Sequence, residues 1–392
     1  MRVGVVVNAY HPDVGGVETH VRRLAAGLVA AGDEVEVLTQ HAVAAEEWLD
    51  GVLVRRFPLT VRAADYRFSL AHWQWMRAHA GRYDLLHAHS YHALAALPAA
   101  LTNRTPLVFT PHYHGTGHSR LRAVLHPIYR PIGRRIVARS SRIICVTRAE
   151  RDLVVRHFPA AGERIVVIPN GTDPAPGAGT ALEAGPAAGD GHRILCVGRL
   201  ERYKRVDRIL RALTHLDDDH RLDVVGTGPA RPELENLARR LGLAERVTFH
   251  GRLTDHAFAA AIAGASAAVS ASAHEAFGMA VADAIAAGIP AVASFIPAHR
   301  ELAVLAGSGV KLWLVNPDDE VALAGALRRA VGTDRTENAE SPLPSWADVV
   351  ASTRQVYASV APRVRLVQQP LAGFRGGGRG RSDGQSNAGV PN

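Results

Sequence analysis

Two cysteines in 392 residues exclude a disulfide scaffold. Cys145 and Cys196 each sit in an apolar, strand-like run and read as small buried hydrophobes, with no zinc-ligand spacing around them. That usage fits a reducing compartment. No apolar stretch approaches about 18 residues without a charge, so no membrane span is expected. Met1-Arg2 is followed by only a short apolar run that stops at Asn8, which does not read as a signal peptide. The chain is therefore expected to be cytoplasmic. A full Gly-x-Gly-x-x-Gly is missing, which speaks against dinucleotide oxidoreduction. A Gly-x-x-x-x-Gly-Lys-Ser/Thr loop is missing too, which speaks against a P-loop NTPase. Acidic residues are absent between Asp84 and Glu150, while nine arginines from Arg104 to Arg148 and seven histidines fall in that stretch.

The remaining composition is that of a globular protein: 47% apolar and 21% charged. At roughly 150 residues per domain, the length suggests two or three domains. The formal charge of +8 is compatible with non-specific nucleic-acid binding or attraction to an anionic membrane. No nucleic-acid recognition motif accompanies it, so no nucleic-acid partner is expected.

The N-terminus reads as strand, loop, helix, strand. Residues 3–7 are β-rich, the loop His11-Pro12-Asp13-Val14-Gly15-Gly16 follows, and Val17, Val21, Leu24 and Leu28 mark one helical face. Gly32 ends the helix and residues 35–38 start the next strand, completing a βαβ unit. Further strands are expected at 52–57, 85–88, 107–110, 142–146 and 165–168, with helices at 69–79 and 91–100. Residues 173–192 have linker composition. A second series then places strands at 194–197, 222–225, 247–249, 267–270, 291–293 and 311–314. Helices are expected at 206–213 and 232–241, and a last one at 346–360. The expected organisation is an α/β domain over 1–172, a linker over 173–192 and a second α/β domain over 193–345. A C-terminal helical segment over 346–372, packing back on the first domain, and a disordered Gly/Arg/Ser tail over 373–392 complete it. Ligands in such sheets bind at the carboxyl ends of the strands, and two domains face to face make a cleft.

Several short motifs fall at those ends. Gly198 lets a backbone approach a ligand, and Arg199 and Lys204 follow it into a helix start suited to a diphosphate. The alternative is two solvated charges after a strand. The Gly226-Thr227-Gly228 turn is weak by itself. Ser272 to Met279 opens a helix, with Glu275 just before it and Asp283 about two turns on. Two carboxylates eight apart suit a cleft, but a capping Glu275 and a solvated Asp283 are an equal reading. His87, His89 and His112 stand at strand ends. With no nearby acid to complete a metal site, they read as polar loop residues, and no metal is expected. Asp217-Asp218-Asp219 reads as a solvated loop.

Together the segments Gly15-Gly16-Val17-Glu18, Ile168-Pro169-Asn170-Gly171-Thr172-Asp173, Gly198-Arg199 through Lys204, and Glu275-Ala276-Phe277-Gly278 through Asp283 resemble the retaining family-4 glycosyltransferases of the GT-B fold. The resemblance covers residues 1–360. It implies two Rossmann-like domains facing across a deep cleft and transfer of a hexose from a UDP- or GDP-sugar with retention. It implies no cofactor and no metal, the nucleotide-diphosphate sugar being a co-substrate. Arg199 and Lys204 would hold the diphosphate and Glu275 the donor sugar, with His112 also contacting that sugar. Gly15, Gly16, Gly198, Gly228, Arg252, Ala276, Phe277, Gly278, Met279 and Asp283 would complete the donor site. Glu18, His89 and His114 would face the acceptor. Asp283 departs from the family, which normally has Glu there. Its reach is shorter by over about 1 Å, so a bridging water or a closer helix is needed at the ribose.

The acceptor is expected to be either a small natural-product scaffold or a lipid- or glycan-linked hydroxyl. Between Arg120 and Arg142, seven arginines alternate with apolar residues, and Pro127 and Pro131 are expected to break the stretch. It reads as a solvated basic helix pair with an apolar core face, or as a peripheral contact with the inner face of an anionic membrane. A nucleotide-sugar-binding module without turnover is the alternative to an enzyme.

Overall fold

The computed structural model describes residues 1–13, 15–63, 66–91, 93–102, 105–115, 120–172, 192–336 and 341–361. The expected tail at 373–392 lies outside them. So does the expected linker, apart from His192, which opens a strand.

The first half contains β1 (Arg2–Val6), α1 (Gly16–Ala30), β2 (Glu34–His41), β3 (Ala45–Leu49) and β4 (Val52–Pro58). A two-stranded ribbon follows, β5 (Val61–Ala63) and β6 (Tyr66–Phe68), then α2 (Leu70–His79), β7 (Leu85–His89) and α3 (Ala96–Leu101). It closes with β8 (Leu107–Thr110), α4 (Arg120–Arg139), β9 (Arg142–Cys145), α5 (Arg148–His157) and β10 (Ile165–Val167). Eight strands form one sheet in the order β10-β9-β8-β7-β1-β2-β4-β3, parallel except for β3 against β4. Strand order reverses between β1 and β7.

The second half runs β11 (His192–Val197), α6 (Val206–Leu213), β12 (His220–Val225), α7 (Arg231–Arg240), β13 (Val247–Gly251) and α8 (Asp255–Gly264). Then come β14 (Ala267–Ser270), α9 (Met279–Ala286), β15 (Ala291–Ser294), α10 (Pro297–Ala306), β16 (Leu312–Val315) and α11 (Glu320–Val331). Its six strands are all parallel, in the order β13-β12-β11-β14-β15-β16. Here the order reverses between β11 and β14. In doubly wound sheets, such switch points are where the loops splay and ligands bind.

The last helix, α12 (Trp346–Val360), shares a core with the first half. Val349, Val350, Val356 and Tyr357 pack with Val21, Leu24 and Leu28 of α1. Ser345 and Asp348 close its start as a reciprocal capping box. The Tyr357 hydroxyl reaches His87 Nδ1 at 2.7 Å.

Three expectations need correction. Pro127 and Pro131 do not divide the basic stretch, because α4 is continuous from Arg120 to Arg139. Each proline deletes one backbone donor, and the other i→i−4 bonds carry the helix past both. Arg130, Arg134, Arg135 and Arg139 of α4 are exposed, while Tyr129, Ile136 and Val137 are buried. The helix expected at 91–100 is shorter and begins at Ala96. The edge strand β3 was not anticipated, since Glu46, Glu47 and Trp48 carry no apolar alternation. No helix among the described residues is long and apolar enough to cross a membrane.

Candidate active site

The loops at the carboxyl ends of the two sheets meet. Arg252, after β13, donates from Nη1 to Pro12 O, after β1, at 2.5 Å. Thr147, after β9, donates to Ala276 O, after β14, at 3.0 Å. Asn170, after β10, places Nδ2 3.0 Å from Met279 Sδ at the start of α9. These contacts surround the motifs singled out in the sequence.

β11 ends at Val197, and the chain turns through Gly198 and Arg199 into a 3₁₀ turn, Arg202–Lys204. Lys204 therefore precedes α6 on its own turn, rather than lying on a helix entered directly from the strand. The Gly226–Gly228 loop lies against this segment, with Leu200 N donating to Thr227 O at 2.9 Å. A Cβ on Gly228 would stand 2.3 Å from Leu200 O. Close backbone approach thus accounts for that glycine by packing alone.

Lys204 Nζ lies 2.6 Å from Glu275 Oε1, and both side chains are largely shielded from solvent. Burial opposes the ammonium, but the adjacent carboxylate outweighs it and holds the lysine pKa above its ordinary value. Burial likewise opposes the Glu275 charge, yet Lys204 and a hydrogen bond from Ser272 keep that carboxyl below its ordinary range. Glu275 is therefore an ion-pair partner and not a helix cap. The cap position of α9 belongs to Gly278.

Arg199 sits beside Tyr203 and faces Glu18 of the first half. Burial, only partly offset by a backbone hydrogen bond and by Arg199, raises the Glu18 pKa. A Cβ on Gly15, at the start of α1, would lie 3.8 Å from the Arg199 side chain, which shows how closely that loop covers it. Gly16 has open space at the same point.

Gly278 has φ +99°, and a Cβ there would come within 2.8 Å of His299 Cδ2. Both the left-handed backbone and the imidazole require glycine. Gly278→Ala is expected to destabilise the protein by about 1–2 kcal/mol from backbone strain alone. Calorimetric unfolding would check this, and an unchanged transition would refute it. Phe277 is buried in an apolar cluster with Val281, Ile285 and Leu302, so its side chain serves packing. Asp283, half-buried on α9, lines a small cavity with Val197, Phe258 and Ala280.

On the opposite wall, three imidazoles converge. His20, His89 and His112 have ring nitrogens within 4.8 Å of one another. His89 Nδ1 is 3.4 Å from His112 Nε2, and His20 Nδ1 pairs with Asn170 Oδ1 at 2.9 Å. Among the described residues, no carboxylate joins this group. His112 has φ +46°, an uncommon backbone for a non-glycine residue and typical of functional turns. Burial depresses all three pKa values, that of His20 to about 4, so each ring is neutral at pH 7. His114, just beyond, stacks on His274 of the second half at 5.1 Å, and His274 stacks on Tyr203 at 4.7 Å.

The fold thus brings together Arg199, Lys204, Glu275 and Gly278 from one half, and Gly15, Glu18, His89, His112 and His114 from the other. Sequence reasoning missed His20, His299, Thr147 and Glu301. His20 had a weak signal, a histidine on the apolar face of α1. The acidic run behaves as a solvated loop. Asp218 pairs with Arg246, and Asp219 with His220.

Two family models match, Glycosyltransferase Family 4 over residues 14–176 and Glycosyl transferases group 1 over residues 181–340. A D-inositol 3-phosphate glycosyltransferase of Xylanimonas cellulosilytica is 30% identical over 90% of this chain and 93% of its own. A glycogen synthase of Mycobacterium tuberculosis is 29% identical over 95% of this chain and 99% of its own. Among solved structures, HepE of Anabaena with UDP and glucose superposes with a TM-score of 0.72 at 18% identity, covering 92% of this chain and 99% of its own. Sucrose-phosphate synthase from Thermosynechococcus elongatus gives 0.68 at 21% identity, covering 92% and 94%. The paired sheets, the meeting of their carboxyl ends and both family matches lead to one conclusion: the chain belongs to the family-4 glycosyltransferases of the GT-B fold, enzymes that use a nucleotide-sugar donor.

Proposed function

We propose that the protein transfers a hexose from a UDP- or GDP-sugar to a hydroxyl of a small polyol acceptor, with retention and without a resident metal. The Lys204–Glu275 pair beside Arg199, opposite His112 and Glu18, carries this reading. Two cations in the segment that follows β11 suit a diphosphate, whose charge grows as the sugar departs. They would supply the neutralisation that a metal provides elsewhere. Glu275, oriented by Lys204, would accept hydroxyl hydrogen bonds from the donor sugar, joined by the main chain of Ala276, Phe277, Gly278 and Met279. Gly198 and Gly228 would keep the loops slim beneath the diphosphate, with Gly15 and Gly16 covering it. The chain near Arg252 would meet the base, and Asp283 the ribose. His112, held neutral, would contact the sugar from the other wall. Glu18, His89 and His114 would border the acceptor.

Glu275 is engaged by Lys204 and His112 is neutral, so neither is cast as the nucleophile. The departing phosphate itself would take the acceptor proton on the face the acceptor attacks. Relatives named for inositol 3-phosphate support a soluble cyclitol-like acceptor. The exposed arginines of α4 favour a second reading, a lipid-linked acceptor reached from an anionic membrane.

The test is thermal stabilisation and sugar release with UDP-, GDP-, ADP- and dTDP-hexoses in EDTA. Proton NMR would follow the product anomer, and vesicles with and without anionic lipid would form a parallel arm. Stabilisation by one nucleotide, with EDTA-resistant release and an α-linked product from an α-donor, is expected. No stabilisation by any donor, or an inverted product, would overturn the reading. Cosedimentation only with anionic vesicles would transfer support to the lipid-linked acceptor.

A further inference from the structure

The first turn of α5 is bonded to both halves of the molecule. Thr147 caps the helix, its Oγ1 accepting from Glu150 N at 3.0 Å. The same hydroxyl donates across the cleft to Ala276 O at 3.0 Å. A threonine hydroxyl has one proton and two lone pairs, so it can do both at once. A helix start also leaves further backbone donors without intrahelical partners. Two of them, Arg148 N and Ala149 N, are taken by the Glu301 carboxylate of α10, at 2.6 and 3.0 Å. Glu150 turns its own carboxylate back to Val146 N and to Tyr113 N, the residue after His112. One helical turn therefore joins the His112–His114 loop, the loop that carries Glu275, and α10.

We propose that Thr147 is a positioning residue for glycosyl transfer, with Glu301 completing the clamp. Together they fix the Glu275–Gly278 loop against the His112 wall in the closed arrangement in which the sugar moves. The inference rests on the glycosyl-transfer reading, and it assigns a role to two residues outside the donor motifs. A cap alone would not select a hydroxyl, because Asp or Asn caps a helix as well. Only the bond to Ala276 O needs the donor.

The experiment compares wild type, Thr147→Ser, Thr147→Val and Glu301→Ala. It measures kcat and KM for sugar release and transfer, UDP affinity by calorimetry, and the unfolding midpoint. Thr147→Ser keeps the donor and is expected to stay within about threefold of wild type. Thr147→Val and Glu301→Ala are expected to lose about 10- to 100-fold in kcat, the scale of a misplaced reacting group, with UDP affinity unchanged. Glu301→Ala leaves the helix's own cap intact, so its arm decides the matter if Thr147→Val folds poorly. Wild-type turnover in Glu301→Ala, an equal loss in Thr147→Ser and Thr147→Val, or a change confined to KM would overturn the proposal. A wild type without turnover on any donor would instead overturn the glycosyl-transfer reading beneath it.

Discussion

Lys204→Ala is expected to slow sugar transfer by about 10²–10³-fold, the usual cost of removing one preorganised group that meets developing charge. Arg199 remains and continues to bind the diphosphate, so UDP affinity should fall far less than the rate. Lysine is scarce here: Lys204 and Lys311 are the only two, and the other 43 of the 45 basic residues are arginine. A composition so biased toward arginine still places a lysine at this turn. The ammonium is compact and strongly hydrated when free, and here it lies between Glu275, the Tyr203 ring at 5.4 Å and the backbone of Gly198. Lys204→Arg should therefore not rescue the rate, because a planar guanidinium has to displace one of those neighbours.

Lys204→Ala also leaves Glu275 buried without a cation. Breaking such a pair on one side costs about 3–5 kcal/mol, so a rate measured on the single variant mixes chemistry with folding. The double variant Lys204→Ala/Glu275→Gln, read against Glu275→Gln alone, separates them. Its unfolding transition should return most of the way to wild type, because no unpaired charge remains. Its transfer rate should stay well below that of Glu275→Gln. A double variant as fast as Glu275→Gln would show that the lysine acts only by holding the structure.

The sequence made some of this legible because the relevant signals are local. The βαβ start follows from an apolar run, the loop at Gly15-Gly16 and apolar residues at helical spacing in α1. The Glu275–Asp283 spacing sits within one loop and helix. What stayed hidden depends on partners far along the chain. Thr147 meets Ala276 across 129 positions, and Glu301 meets Arg148 N across 153. No pattern inside either segment encodes the other. β3 was hidden for another reason. Its Glu46 and Glu47 face Arg55 and Arg56 of β4, so an exposed edge strand is stabilised by cross-strand charge and not by apolar alternation. The family resemblance supplied roles for Arg199 and Lys204, but the capture of Lys204 by Glu275 emerged only from the fold.

Acidification is expected to unfold the protein cooperatively, with a midpoint between about pH 5 and 4 and net uptake of about three protons. Burial lowers the pKa of His20 to about 4 and of His72 and His87 to about 3, and it holds His89 and His112 well below the ordinary value. In the unfolded chain these rings protonate near pH 6.5. Between about 6.5 and 4 the unfolded state therefore binds more protons, and stability falls as pH falls. Glu150, pushed up to about 8 by burial, and Glu18, likewise raised by burial, act in the opposite direction above their unfolded pKa and offset two histidines. A net three groups lose about 4 kcal/mol per pH unit, enough to exhaust a total of about 5–15 kcal/mol within a few units. His72 lies away from the cleft, stacked on Phe57 at 4.7 Å with its Nε2 unpartnered. His72→Leu should lower the midpoint and reduce the uptake by about one proton without touching the site. Circular dichroism with proton-uptake titration would read both quantities. A wild-type midpoint below about pH 3, or no uptake between 6.5 and 4, would mean that the buried imidazoles accept protons in the folded state.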